Sequence, residues 1–108
     1  MKTLMIFALC SVVAAMAQAP DWKTMSGSAR GLQGMVKGNI VKAAEKMPEE
    51  SYGFKPSHDV RSFGELVGHV ADAQYLFCSA SMKEKSPAPG VEKGLKTKAE
   101  LVAALKEA

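Results

Sequence analysis

The chain has 108 residues, 47% apolar and 23% charged, which suits one small globular domain and excludes a disordered chain, a collagen-like repeat and a polytopic membrane protein. Its 14 basic and 11 acidic side chains leave a net charge of +3 and are interspersed, so no phosphate-tracking patch forms and no nucleic-acid partner is expected. Two cysteines cannot frame a disulfide-rich miniprotein.

Met1-Lys2-Thr3 makes a short positive start, residues 4–16 are apolar and uncharged, and Ala15-Met16-Ala17 places small residues where a signal peptidase reads them. This pattern predicts a signal peptide over 1–17, cleavage before Gln18, a secreted or periplasmic protein and no stable membrane anchor after cleavage. An uncleaved anchor is the alternative, but the apolar run is short for a bilayer span. Cys10 does not make a lipoprotein site, because bulky Leu9 precedes it. Cys78 then remains as the one thiol, either buried as a small hydrophobe or free.

Residues 18–28 read as a polar linker carrying Trp22. From Ala29 onward, Leu32, Met35, Val36, Ile40, Ala43, Ala44 and Met47 recur at the three-four spacing of an amphipathic helix, which Pro48 stops. Gly31, Gly34 and Gly38 each weaken that helix by about 1 kcal/mol, a loss that close approach of a neighbouring helix would offset. Residues 49–61 read as a crossing loop with Tyr52 and Phe54 tucked beneath it. A second helix opens at the capping box Ser62-Phe63-Gly64-Glu65, in which the serine hydroxyl and the glutamate carboxylate satisfy free backbone N–H groups. Its expected buried stripe is Phe63, Leu66, Val70, Ala73, Phe77 and Ala80, flanked by Val67 and Leu76. Pro87, Pro89 and Gly90 close it. Thr97-Lys98-Ala99-Glu100 has the same capping spacing and starts a third helix with Leu101, Val102 and Leu105. The expected fold is therefore all-α: an incomplete up-down four-helix bundle, two full helices plus the start of a third, over 29–108 and truncated at its C-terminal side. Each stripe needs a cover, from a longer chain or from a second copy in a homodimer.

His69 is the candidate metal ligand. Helical spacing sets it on the flank of the expected stripe, with Glu65 and Asp72 a turn away as carboxylates able to orient the ring. No HxxxH, HExxH or CxxC pattern accompanies it, and a packed core histidine is the plainer reading of spacing alone. His58 falls in the loop as a solvated turn residue. Glu65 has sufficient work in its cap, Asp72 reads as a solvated face residue, and Cys78 and Tyr75 lie away from His69 on the helix. No nucleophile elbow, P-loop or dinucleotide fingerprint is present.

The run Ala43-Ala44-Glu45-Lys46-Met47-Pro48-Glu49-Glu50, then Tyr52-Gly53-Phe54-Lys55-Pro56, then Arg61-Ser62-Phe63-Gly64-Glu65-Leu66-Val67-Gly68-His69-Val70-Ala71, resembles the N-terminal half of the DinB-like family. The helix start at Lys98-Ala99-Glu100-Leu101 fits as well. The resemblance implies a four-helix bundle that binds a divalent transition metal, zinc or nickel. It implies one histidine ligand on the second helix and two more in an HxxxH pair on the last. His69 matches the first ligand, and the HxxxH pair has no counterpart in this chain. Held by one ligand, the metal would not bind tightly. The family includes thiol-dependent transferases and isomerases, hydrolases, and members without assigned activity. Small thiol cofactors are mainly cytoplasmic, so a metal-dependent hydrolase or a non-catalytic bundle fits an exported member better, with the small-molecule substrate of an enzyme left unspecified. The alternative is a non-catalytic structural or interaction bundle. A membrane-surface helix is disfavoured by the glutamates spread over every helix.

Overall fold

The computed structural model describes residues 19–108, so the expected signal peptide over 1–17 lies outside the described residues. Among the described residues the secondary structure is helical throughout: α1 (Met25–Lys46), a 3₁₀ turn (Glu49–Ser51), α2 (Phe63–Met82), α3 (Val91–Gly94) and α4 (Lys98–Glu107). No helix among them is long and apolar enough to cross a membrane.

Helix α1 begins four residues before the apolar pattern does, inside the stretch read as linker, because Thr24 caps it by accepting the Gly27 N–H at 3.0 Å. Its glycines are not compensated by a neighbouring helix. The Trp22 ring lies over Gly31, where a Cβ would meet it at 2.4 Å, and nothing lies within 4 Å of a Cβ built at Gly34 or Gly38. Only the C-terminal half packs: Ile40, Val41, Ala44 and Met47 join the core, whereas Leu32, Met35 and Val36 are exposed. The end of α1 is closed by Lys98, whose Nζ donates to the Glu45 and Met47 carbonyls at 2.8 Å each.

In the crossing segment Tyr52 tucks in as expected. Its hydroxyl donates to the Ala44 carbonyl at 2.6 Å, and its ring meets Phe63 edge-on at a centroid distance of 5.1 Å. Burial, then the nearby Glu49 charge, push the Tyr52 phenol up. Phe54 does not tuck in. It is 66% exposed and lines an open groove, while its backbone carbonyl accepts the Phe63 N–H at 3.1 Å.

Both expected capping boxes form: Ser62 with Glu65 opens α2, and Thr97 with Glu100 opens α4. Of the expected stripe on α2, Phe63 and Val70 pack against the core, with the flanking Val67, but most of the packed face is made by small residues. Gly64, Val67, Gly68, Ala71 and Ser79 are buried, whereas Leu66 and Leu76 are exposed and Phe77 is 70% exposed. Small residues decide this, because they admit backbones that a larger side chain would hold off. A Cβ on Gly68 would sit 2.6 Å from the Glu92 Cα, and one on Gly64 would sit 3.2 Å from Tyr52. Helices α3 and α4 therefore lie against the glycine face, with Leu101, Ala104 and Leu105 filling the core beside Val67 and Ala71. Helix α3 is a single turn between Gly90 and Leu95. Cys78 is exposed and free, the second of its two expected states.

Candidate metal centre

The second turn of α2 carries His69 to the border between its packed face and its uncovered apolar face. The side chain is 49% exposed, and Nδ1 lies 3.1 Å from Glu92 Oε2 on α3. Nε2 has no partner among the described residues.

Neither carboxylate expected to orient the ring does so. Glu65 accepts the Ser62 N–H at 2.7 Å and pairs with Lys55 at 3.1 Å. The Ser62 backbone bond, then Lys55, hold its carboxyl below the usual range. Asp72 is not a solvated face residue. Its Oδ1 accepts the Gly90 and Val91 N–H groups at 3.0 and 2.8 Å, and its Oδ2 accepts the Glu92 N–H at 2.9 Å. One side chain on α2 thus holds the amides at the start of α3. That turn carries Glu92, which bridges Arg61 Nε at 2.6 Å on one oxygen and His69 on the other. The Arg61 hydrogen bond, and then the bond to His69, hold the Glu92 carboxyl below its ordinary value. Glu92 lies 23 positions from His69, outside any helical spacing, and the one advance sign of it was the glycine at 68 that lets α3 come close.

An open groove of about 910 Å³ runs beside this bridge, lined by Phe54, Lys55, Arg61, Phe63, Leu66 and Glu92 among others. His58, exposed and paired with Asp59 at 2.8 Å, lines the same groove and makes no contact with His69 among the hydrogen bonds and ion pairs. Tyr75 turns to α4, where its hydroxyl reaches the Ala104 carbonyl at 3.5 Å.

A divalent transition metal needs three or four protein or solvent donors. Among the described residues no group of three His, Cys, Asp or Glu side chains comes together to hold one. His69 fits one corner of such a centre: an accessible imidazole nitrogen with its other nitrogen held by a carboxylate. The described residues do not fit the whole.

Two long helices, two shorter ones and a half-exposed histidine on the capped second helix define a helical domain with one ligand-type side chain at its edge. Residues 36–108 match the sequence pattern of the DinB superfamily, and the chain belongs to that superfamily. No curated protein and no solved structure matches the chain.

Proposed function

We propose that this is an exported DinB-like protein in which His69 supplies one ligand to a divalent transition metal, zinc or nickel, within a four-helix up-down bundle. The single observation that carries the reading is the His69–Glu92 bond, which occupies Nδ1 and leaves Nε2 accessible, the arrangement typical of metal-binding histidines. Superfamily membership over 36–108 supports it. When bound, the ion supplies Lewis acidity to a small-molecule substrate in a hydrolase or transferase reaction. The chain's own residues hold the imidazole in place and shape the adjoining groove, where Phe54 and Phe63 offer apolar contact. Lys55 and Arg61 are engaged by Glu65 and Glu92, so their charges organise the protein before they meet a ligand.

Elemental analysis of the protein purified without chelators tests this. Stoichiometric zinc or nickel is expected in the wild type and lost in His69→Ala, while the metal-free forms of the two proteins should differ in stability by less than about 1 kcal/mol because the side chain is half-exposed. Equal metal content in both proteins, or none in the wild type, overturns it. The second reading is a non-catalytic structural or interaction bundle, for which the described residues' want of a three-donor group is the observation and a metal-free wild type the expected result. Export rests on the pattern over 1–17, and N-terminal sequencing of the mature protein is expected to begin at Gln18.

A further inference from the structure

We propose that the outward face of α2 is a homodimer interface, on which two copies of this chain pair their second helices antiparallel about a two-fold axis at Ala73. The proposal goes beyond the metal reading and needs no ion. At about 100° per residue, Leu66, Val70, Ala73, Leu76, Phe77 and Ala80 fall in one stripe opposite the glycine face. Leu66 is 48%, Leu76 59% and Phe77 70% exposed, and Ala80 is exposed beside them. Residues 73–82 contain no Asp, Glu, Lys or Arg. An exposed helix face that is both apolar and uncharged marks a surface that meets a partner.

A second copy is the occupant because the stripe is complementary to itself. Ala73 lies at its centre, seven residues from Leu66 and seven from Ala80. In an antiparallel pair with the axis there, Leu66 lies against the partner's Ala80 and Phe77 against the partner's Val70. The two Ala73 residues meet at the axis, so no level sets large against large. His69 stands at the rim of this pairing. No charge on the stripe opposes its own copy, whereas α1 carries Arg30, Lys37, Lys42 and Lys46 against the single acid Glu45 and would repel itself. At about 200 Å² for a large side chain, the exposed parts of Leu66, Leu76 and Phe77 offer on the order of 350 Å² per copy. Ala80, Val70 and the rim raise the pair to about 1,000 Å², the low end for a specific interface, so the dimer is reversible.

The test is sedimentation equilibrium of the metal-free full chain from about 5 to 500 µM, where the mass is expected to rise from monomer to dimer. Phe77→Glu and Leu66→Glu each bury a carboxylate in the pair and should weaken it at least about tenfold. Phe54→Glu, equally exposed but off the stripe, should leave pairing unchanged. The register has its own readout. Residues 66 and 80 are four turns apart in one chain but opposed across the axis, so Leu66→Glu combined with Ala80→Lys should restore the dimer that Leu66→Glu alone loses. Circular dichroism at the lowest concentration should match the wild type for every variant, because the substituted side chains are exposed. A wild type that stays monomeric overturns the proposal, whether its own chain or an unlike protein meets the stripe. Pairing indifferent to Phe77→Glu, pairing lost equally in Phe54→Glu, or no restoration in the combined variant overturns it as well. A Phe77→Glu protein unfolded at the lowest concentration does the same, since it places the stripe inside one chain's core. None of these results bears on metal content, so the metal reading stands or falls separately.

Discussion

Replacing Asp72 by alanine removes the acceptor that holds the start of α3. Of its three bonds, that from Gly90 is exposed and its N–H can turn to water, so losing it costs little. The Val91 and Glu92 amides are partly buried, at 2.8 and 2.9 Å from the carboxylate, and lose charge-assisted bonds. At about 1 to 1.5 kcal/mol net for each, Asp72→Ala should destabilise the fold by about 2–3 kcal/mol. Asp72→Asn isolates half of this. One amide oxygen can still serve Val91, but the NH2 group faces the Glu92 N–H, donor against donor, so about 1–1.5 kcal/mol is lost. Urea titrations followed by far-ultraviolet circular dichroism give both values, and the melting temperature of the alanine variant should fall by on the order of 10 °C or more. If Asp72→Ala lies within about 0.5 kcal/mol of the wild type, the carboxylate is a surface group and α3 is held by other means.

Two glycines of the same chemistry should respond with opposite sign. Gly34→Ala, in mid-helix with open space around it, should stabilise by up to about 1 kcal/mol. Gly68→Ala, whose Cβ meets backbone, should destabilise by about 1–3 kcal/mol, and thermal melts of the pair measure the difference. Both capping glutamates have carboxyls held below the usual 4.5, Glu65 by the Ser62 backbone and Lys55, Glu100 by the Thr97 side chain and backbone N–H groups. A lowered folded-state value means their stabilisation is complete above about pH 4.5 and fades as pH falls through the lower folded values. The urea midpoint should therefore fall with acid in that window, and a Glu65→Gln, Glu100→Gln double variant should show a shallower fall.

The parts of the fold visible in the sequence are those made by local chemistry. Ser62 with Glu65 and Thr97 with Glu100 are three residues apart, so the caps need no tertiary knowledge. The packed face of α2 was visible only in part, in Phe63, Val67 and Val70. Periodicity shows that a helix has an apolar stripe, but it does not say whether a neighbour prefers Leu66 and Phe77 or the smaller Gly64, Gly68 and Ala71. Close backbone approach settled that choice, and it depends on α3 and α4. His69 was legible as a candidate from its residue type and helix. Its carboxylate partner was not, because Glu92 joins it across 23 residues through a turn too short to show any period. Asp72 was misread for the same reason: its three partners lie 18 to 20 residues away.

Helix α1 is continuous from Met25 to Lys46, yet its side chains enter the shared core only from Ile40 onward. Its amino-terminal turns are supported by their own ladder, the Thr24 cap and one indole, so they can unwind without disturbing Leu105 or Tyr52. Amide exchange along this single rod should accordingly grade from fast to slow, with the change falling a few residues beyond Val36, where the superfamily pattern also begins. The part of the helix that kinship specifies and the part that cooperative unfolding protects are then nearly the same part.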